Sequence, residues 1–340
     1  MAEFVVTGGA GFLGSHCIHR LLKLGGRVTC IDNLSRGTRY HLAPHMGVSG
    51  FRFIEGDVLD PSALAHAFRS SDIEAVFHFA GRSAIHGIAA SPPADLQDTF
   101  CTTFALLMKM REQRIQNLVF ASSAAVYGND SSTATDARLP VRPVSMYAAA
   151  KLASEAFISA FATSAGIRSW IFRLANLVGP GVTQGILHDF VDRLLLDPTR
   201  LRVLGHRSSR RPYLHVADAL DAIMLAYLST RDGELVKAFN LGAKTMLDVA
   251  QVAEIVAAEM GLAGIPIEFA QDAPAATGDI RSLSCDVSRI ESLGWQCHRS
   301  SEEAIRAAVH EHLAWRCDTI GASAAPGDSF AAVTSATRTK

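Results

Sequence analysis

A tyrosine and a lysine four residues apart suggest the first chemistry in this sequence. Tyr147 and Lys151 stand in the run YAAAK, and residues four apart share one face of a helix. A phenol has a pKa of about 10 and is a poor base at neutral pH, but a neighbouring ammonium favours the phenolate and lowers that pKa. Ser123, at the end of the preceding predicted strand, can hydrogen bond the same substrate hydroxyl and support a developing oxyanion. Together they predict removal of a proton from a substrate hydroxyl group.

A glycine-rich run near the N-terminus predicts a dinucleotide site. Gly8, Gly11 and Gly14 follow a short apolar strand and open a predicted helix. They would allow a tight turn, close approach of a pyrophosphate and close packing of helix on strand, and the helix N-terminus favours bound phosphate. Asp32 comes eighteen residues after Gly14, at the end of the next strand. A carboxylate there binds both ribose hydroxyls and repels a 2′-phosphate, which predicts NAD rather than NADP; the nearby Arg36 weakens that preference slightly.

Alternating strands and helices would place these residues at one edge of a sheet. Nearly continuous apolar runs with helices between them are typical of a parallel sheet covered on both faces. The predicted strands are 4–6, 28–31, 51–54, 75–79, 117–120 and 169–173, and the predicted helices include 12–22, 62–69, 99–113 and 146–165. Small or polar residues follow the strand ends, where open α/β sheets bind ligands: Gly8, Asp32, Asp57, Ala80, Gly81 and Ser123. Asp57 is predicted to contact the adenine, with capping of the next helix as the alternative.

The alternation weakens after residue 176, which predicts a second lobe. The predicted fold class is α/β, a Rossmann-type doubly wound parallel sheet with a smaller C-terminal α/β substrate lobe. Residues 1–178 with 212–245 are assigned to the NAD-binding domain, and 179–211 with 246–318 to the substrate-binding lobe. Within these, 182–211 is predicted to be a helix and an arginine-rich loop, 212–230 a helix and 238–241 a strand. The Ala/Ser/Thr/Gly-rich stretch 319–340 predicts a disordered tail.

Composition argues against several classes of partner. A formal net charge of -1 offers no basic field for nucleic acid or for an anionic membrane. No apolar run reaches the roughly 20 residues that cross a bilayer, and the N-terminus lacks a signal-peptide pattern. The six cysteines form no C-x-x-C pair and no zinc-like spacing with histidine. They predict free thiols, no metal site and a reducing, cytoplasmic location.

Six motifs resemble those of the extended short-chain dehydrogenases: TGGAGFLG, DNLSRG, GDVLD, SSAAVYG, YAAAK and RLANLVGP, in this order. Within that family the chain is most similar to the NAD-dependent nucleotide-sugar epimerases typified by UDP-glucose 4-epimerase, from residue 4 to about 315. The resemblance implies epimerisation at C4 of a nucleotide-diphosphate sugar through a 4-keto intermediate. Tyr147 would take the proton of the C4 hydroxyl while NAD takes and then returns the hydride. It also implies a C₂ homodimer formed through the helix that carries Tyr147 and the segment 99–113.

The resemblance further implies which residues hold the ligands. Lys151 would bind the nicotinamide ribose, Asn176 would contact the substrate diphosphate, and Arg211 would pair with a phosphate. The predicted cofactor site comprises Gly8, Gly11, Phe12, Leu13, Gly14, Asp32, Asn33, Arg36, Asp57, Val58, Phe79, Ala80, Gly81, Tyr147 and Lys151. The predicted substrate site comprises Ser83, Ser123, Tyr147, Asn176 and Arg211.

The two residues after Ser123 limit which reactions the protein can catalyse. Related 4,6-dehydratases carry an Asp-Glu pair there, because elimination of water needs an acid and a base, and UDP-glucuronate decarboxylases carry a glutamate. Here the positions are Ala124 and Ala125, which cannot transfer protons. This disfavours dehydration and, less strongly, decarboxylation. An NAD-dependent nucleotide-sugar dehydrogenase or reductase, a decarboxylase-type enzyme and a non-catalytic NAD-binding protein stay open as alternatives.

Overall fold

A seven-stranded parallel sheet forms the centre of the protein. The structure is a computed structural model and describes residues 1–82, 92–128, 141–204, 207, 209–269 and 284–321. Its strands are β1 (Glu3–Thr7), β2 (Arg27–Asp32), β3 (Phe51–Glu55), β4 (Ile73–His78), β5 (Asn117–Ser123), β6 (Arg168–Leu174), β7 (Asn176–Val178), β8 (Leu201–Val203), β9 (Arg210–Arg211), β10 (Tyr213–His215), β11 (Val236–Leu241), β12 (Leu247–Asp248) and β13 (Ile267–Phe269). The central sheet has the order β11-β6-β5-β4-β1-β2-β3, and each of its pairings is parallel.

Helices cover both faces of this sheet. The α-helices of the described residues are α1 (Phe12–Lys23), α2 (Arg39–Leu42), α3 (Pro61–Ala67), α4 (Pro92–Asp95), α5 (Thr102–Glu112), α6 (Met146–Ala165), α7 (Ile186–Leu196), α8 (Val216–Ser229), α9 (Val249–Glu259), α10 (Ser288–Glu291) and α11 (Ser301–Gly321). Because side chains alternate along a strand, Val6 of β1 joins a core with α1 and α8, whereas Val5 joins a core with α3, α5 and α6. Among the described residues, no helix is both long and apolar enough to cross a membrane.

The order of the strands creates the crevice in which such sheets bind ligands. From β1 the chain moves outward to β2 and β3 and then crosses to β4 on the other side of β1. The connections leaving β1 and β4 therefore diverge at the carboxyl edge of the sheet. The predicted fold class is confirmed, and each predicted strand of the sheet begins or ends within three residues of the observed one.

Helix α6 carries Tyr147 and Lys151, and local signals fix both of its ends. The Ser145 side chain accepts a hydrogen bond of 3.2 Å from the Ala148 amide, which caps the N-terminus. Gly166 ends the helix in the left-handed conformation, with φ +69°. Lys151, Glu155 and Ile158 are buried on the face turned towards the sheet. This packing directs the start of α6 to the carboxyl end of β5.

A second core lies beside the sheet and holds together the smaller elements. Strands β7 and β10, β9 and β12, and β8 and β13 form three short pairs. Helices α7, α9 and α11 pack there around buried apolar residues such as Phe190, Val256 and Ile305. The division of the chain into two domains at the predicted boundaries stays a prediction.

The structure corrects three local predictions in this region. Residues 182–211 contain β8 and β9 in addition to the predicted helix, and 212–230 begin with β10 before α8. Strands of two or three residues carry no readable period, so the sequence pattern could not predict them. Helix α11 continues to Gly321, so it includes the first three residues of the predicted disordered tail. The remainder of that tail, 322–340, lies outside the described residues.

Candidate NAD and catalytic site

One cleft at the carboxyl edge of the sheet brings the predicted cofactor residues together. It has a volume of about 370 Å³. Its lining includes Gly8, Gly11, Phe12, Leu13, Gly14, Asp32, Asn33, Arg36, Asp57, Val58, Phe79, Ala80, Gly81, Tyr147 and Lys151. Ser123 and Asn176 from the predicted substrate set line the same cleft. The carboxyl ends of six strands of the sheet, β1 to β6, and the start of α6 thus share one cavity.

The glycine turn between β1 and α1 forms a cradle that side chains would fill. Gly8 has φ +69°, and a Cβ there would lie 2.5 Å from the Ala80 nitrogen. A Cβ on Gly14 would lie 2.3 Å from the Gly8 carbonyl oxygen, so only glycine lets the helix pack this closely. Gly11, the N-cap residue of α1, has no side-chain cap, and the first turn carries no acidic residue. The open amides and the dipole of this helix end suit a pyrophosphate.

Asp32 ends β2 inside the same cleft and is 8% exposed. Its carboxylate accepts the Ala10 amide at 2.9 Å and the Leu34 amide at 2.8 Å. Burial raises the pKa of Asp32, while these two hydrogen bonds lower it. Each carboxylate oxygen keeps a lone pair for a ribose hydroxyl. The cradle and this carboxylate together fit a dinucleotide.

Asp57 and Asn33 form a second polar pair at the edge of the cleft. Asn33 donates to the Asp57 carboxylate at 2.7 Å, and the other oxygen of Asp57 accepts the Leu59 amide at 2.8 Å. The cap of the following helix is Asp60, which accepts the Ser62 amide at 2.9 Å. The alternative that Asp57 caps this helix is therefore wrong, and its contact with adenine stays a prediction.

Ser123 and Tyr147 are hydrogen bonded to each other across the end of β5. Ser123 also accepts the Ala125 amide at 3.2 Å, which fixes its hydroxyl at the start of a 3₁₀ turn over Ala124–Tyr127. Lys151 lies one turn further along α6, and its ammonium donates to the Ala121 carbonyl at 2.8 Å. Burial lowers the pKa of Lys151 to about 8, and the charge of Glu155 opposes that shift. At neutral pH Lys151 therefore keeps most of its positive charge.

The predicted lowering of the Tyr147 pKa depends on the Lys151 ammonium together with the positive nicotinamide, and the protein without ligands shows a different balance. Burial raises the pKa of Tyr147, the hydrogen bond from Ser123 lowers it, and the charge of Asp95 raises it. The Lys151 ammonium is held by the Ala121 carbonyl instead of by the phenol. The rise that burial causes in the pKa of Tyr147 therefore exceeds the lowering by the Ser123 hydrogen bond. In the protein without ligands, Ser123 is the group that lowers the pKa of Tyr147.

The remaining predicted substrate residues lie in different places. Asn176 is exposed at the start of β7 and faces the cleft. Arg211 is half-buried in β9, opposite Leu247 of β12, and is not among the described residues that line the cleft. Ser83 lies outside the described residues. Their roles towards a substrate stay predictions.

A comparison with models of protein families shows which family this chain belongs to. The model of the NAD dependent epimerase/dehydratase family matches residues 4–242. The chain belongs to this family. Membership confirms the predicted extended short-chain dehydrogenase relationship and confirms NAD as the cofactor.

Individual members of the epimerase/dehydratase family are similar to this chain over most of its length. A UDP-glucose 4-epimerase from Corynebacterium glutamicum is 32% identical, with 86% of this chain and 90% of the relative covered. The crystal structure of UDP-glucose 4-epimerase from Thermotoga maritima with UDP-glucose is 26% identical, with a TM-score of 0.81, and covers 94% of this chain and 99% of its own. A dTDP-glucose 4,6-dehydratase from Streptomyces niveus is 29% identical and covers 80% of this chain and 82% of its own.

An arginine in the cleft was not predicted from the sequence. Arg82 follows Gly81 directly and lines the cleft together with Asp98. Its guanidinium lies 2.9 Å from the Asp95 carboxylate and 3.7 Å from that of Asp98, and its side chain is 13% exposed. Its position just past the carboxyl end of β4 was the signal that could have identified it, because that edge binds the ligand in this epimerase/dehydratase fold.

Proposed function

We propose that this protein is an NAD-dependent epimerase that inverts the C4 hydroxyl of a nucleotide-diphosphate sugar through a transient 4-keto intermediate. The observation that carries the proposal is that Ser123, Tyr147 and Lys151 line the same NAD cleft, where Ser123 lowers the pKa of the Tyr147 phenol. Two of the relatives described above are UDP-glucose 4-epimerases, and one of these was solved with UDP-glucose. A UDP-hexose is therefore the first substrate to test.

The chain supplies proton transfer, hydrogen bonding and charge to this reaction. NAD, when bound, supplies the acceptor and the donor of the hydride. Tyr147 removes the proton of the sugar hydroxyl, and Ser123 donates a hydrogen bond to the same oxygen as it gains negative charge. Lys151 is protonated below its pKa of about 8, so its ammonium can bind a ribose hydroxyl beside Tyr147. The cleft walls limit the access of water to the keto intermediate.

We assign the sugar diphosphate to the side of the cleft that faces the smaller lobe. Asn176 is exposed in the cleft lining, where its amide can donate to a phosphate oxygen. Arg211 offers a planar guanidinium for a second phosphate contact, and Ser83 is assigned to the sugar. In this proposal the smaller lobe, predicted as 179–211 with 246–318, is the substrate-binding part of the chain.

The residues after Ser123 favour epimerisation over dehydration. Ala124 is 1% exposed, and Ala125 packs in the same small apolar cluster. Neither side chain can give or take a proton, whereas loss of water requires a general acid and a general base beside the keto sugar. The relationship to a 4,6-dehydratase therefore extends to the fold and the cofactor rather than to this step.

The experiment that tests the proposal is incubation of the purified protein with UDP-, GDP- and dTDP-sugars, followed by chromatography of the nucleotide sugars. We expect interconversion of the two C4 epimers of one UDP-hexose, with no net change in NADH absorbance. Accumulation of NADH in proportion to product would indicate a dehydrogenase and contradict the proposal. Absence of product with all of these sugars, in protein that binds NAD, would contradict it as well.

We also propose a homodimer in the cytoplasm. Phe104 of α5 and Phe157 of α6 are 39% and 40% exposed. Phe104 stacks on Phe100, and Phe157 contacts both of these rings edge to face, which forms one aromatic patch. Large exposed aromatic side chains on adjacent helices are typical of a protein interface. The free thiols, of which Cys17 and Cys30 are buried, favour a reducing compartment.

A further inference from the structure

A buried ion pair lies beneath the catalytic lysine. Arg173 of β6 donates from Nη2 to Glu155 Oε2 at 2.7 Å and from Nε to both Glu155 oxygens at 3.2 Å. The Ser122 hydroxyl donates to the Oε1 atom of the same carboxylate. Glu155 is only 5% exposed. A charged guanidinium and a neutral hydroxyl therefore both donate to this buried carboxylate.

The position of Arg173 is fixed by further partners. Its Nη1 atom donates to the Tyr127 hydroxyl at 2.8 Å, and the guanidinium lies 5.0 Å from the centroid of that ring. Tyr127 in turn donates to Asn240 at 2.9 Å. Burial lowers the pKa of Arg173, but the hydrogen bonds and charge of Glu155 raise it above its usual value. The guanidinium therefore stays charged and holds Glu155 in one orientation.

Glu155 is one helical turn from Lys151, which is itself one turn from Tyr147. Residues spaced by four share a face of α6, so the three side chains form a row that leads from the core to the cleft. Lys151 is 5% exposed, and its ammonium lies 5.0 Å from the Phe120 ring centroid. A Cβ on Gly81, in the cleft lining, would lie 3.5 Å from this ammonium. A charge in this position needs a nearby opposite charge, because burial disfavours the ammonium.

We propose that Glu155 is a positioning residue for the reaction: its carboxylate, held by Arg173 and Ser122, keeps the Lys151 ammonium charged and in place at the Ala121 carbonyl beside Tyr147. The proposal rests on the function proposed above and adds to it a residue that does not touch the ligands. Glu155 acts through Lys151, and Arg173 acts through Glu155.

The other charged groups around Lys151 do not replace Glu155. Burial lowers the pKa of His78, which faces Lys151 from β4, to about 3, so its imidazole is neutral. The Asp95 carboxylate acts on Tyr147 and is paired with Arg82 at 2.9 Å. Burial lowers the pKa of Lys151, and Glu155 is the acidic group that raises it. Loss of the Glu155 charge should therefore leave Lys151 largely neutral near its present pKa of about 8.

The decisive experiment is an NMR titration of the lysine side chains in the full chain without substrate. The chain has only six lysines, so the signal of Lys151 can be assigned by its loss in Lys151→Met. We expect the midpoint of Lys151 to move to lower pH by about one pH unit in Glu155→Gln. Glu155→Asp, the matched control that keeps the charge, should titrate close to the unaltered protein. An unchanged midpoint in Glu155→Gln would overturn the proposal.

The activity profile supplies the second readout. A charged Lys151 is lost as pH rises through its pKa, so the alkaline limb of kcat should move to lower pH in Glu155→Gln and stay in place in Glu155→Asp. A purely structural role for Glu155 would lower kcat equally at every pH, and that result would contradict the proposal. The titration needs no sugar, so failure of the proposed epimerase activity can be told apart from failure of this inference.

A second variant tests the proposal in case Glu155→Gln does not fold. Glu155→Gln leaves the Arg173 charge buried and unpaired, which can unfold a domain. The double variant Glu155→Gln/Arg173→Met removes both charges and needs no buried counter-ion. Loss of the Arg173 charge by itself raises the Lys151 midpoint, so the reference for this double variant is Arg173→Met, which keeps the Glu155 carboxylate. We expect a lower Lys151 midpoint in the double variant than in Arg173→Met. Equal midpoints in these two variants would refute the role of Glu155.

Discussion

Helix α1 approaches the glycine turn so closely that a Cβ on Gly14 would lie 2.3 Å from the carbonyl oxygen of Gly8. Gly14→Ala must therefore push the helix away from β1, and we expect a loss of about 2 kcal/mol in the free energy of unfolding. The helix N-terminus would move with it, so NAD affinity should fall at least roughly tenfold. Urea denaturation and calorimetric titration with NAD measure the two effects.

Gly25→Ala is the matched control for this prediction. Gly25 has φ +79°, and a Cβ there would meet nothing within 4 Å. Its substitution should cost about 1 kcal/mol through backbone strain alone and leave NAD binding intact. If Gly14→Ala bound NAD as tightly as Gly25→Ala does, close packing of helix on turn would not be what builds the cofactor site.

The cofactor half of the site could be predicted because it depends on local pattern. Glycine spacing and Asp32 at a strand end are set by neighbours in sequence, and the structure places all of them in one cleft. Arg82, Asp95 and Asp98 converge there from two elements, and no spacing in the sequence indicates that meeting. The rise that burial causes in the pKa of Tyr147 in the protein without ligands could not be predicted, because the degree of burial is a property of tertiary packing.

Tyr147→Phe removes the hydroxyl and keeps the ring. Without the group that takes the sugar proton, we expect kcat to fall roughly 10²- to 10⁴-fold, while NAD affinity stays within about threefold. The loss should appear in a chromatographic assay of epimer formation. Tyr40→Phe, at a residue that is 43% exposed on α2, should have no effect. Turnover by Tyr147→Phe at a rate close to that of the unaltered enzyme would exclude Tyr147 as the base.

Asp32→Asn tests how the protein distinguishes NAD from NADP. The amide can still accept one backbone N–H, but it no longer attracts two ribose hydroxyls or repels a 2′-phosphate. We expect NAD affinity to fall roughly tenfold or more and the preference for NAD over NADP to shrink. Fluorescence titration with each dinucleotide measures both. Tighter binding of NADP than NAD by the unaltered protein would contradict the role given to Asp32.

The aromatic patch on α5 and α6 predicts how the homodimer responds to charge. Phe157 lies with its ring centroid 4.9 Å from that of Phe100 and is 40% exposed. Phe157→Glu would place a carboxylate in the centre of the proposed interface, where an unpaired buried charge is costly. We expect monomers in sedimentation velocity runs. Leu196→Glu, at a residue of α7 that is 87% exposed, should remain dimeric. A monomeric unaltered protein would rule the dimer out.

His78 lies fully buried beneath the cleft and gives the fold a defined acid sensitivity. Thr103 donates its hydroxyl to the Thr99 carbonyl at 2.7 Å, so it accepts from His78 Nε2 at 3.0 Å. His78 Nδ1 then accepts from the Thr7 hydroxyl at 2.6 Å, and Thr7 accepts the Ala80 amide of the cleft at 3.3 Å. Each polar atom in this series of hydrogen bonds has a partner only when the imidazole is neutral. Burial, aided by the charge of Lys151, accordingly lowers the pKa of His78 to about 3.

This lowered pKa fixes the direction of a stability change with pH. Below a pH of about 6.5 the histidine takes up a proton in the unfolded chain but not in the folded one. The free energy of unfolding therefore falls as the pH drops from about 6.5 towards 3, by up to about 1.4 kcal/mol per pH unit from His78 alone. His78→Asn should be less stable at pH 7 because two hydrogen bonds change, yet its stability should fall less steeply in this range. Urea unfolding at a series of pH values, with the exposed His66→Asn as control, measures the slopes. Equal slopes for His78→Asn and the unaltered protein would show that this imidazole does not hold the fold in its neutral form.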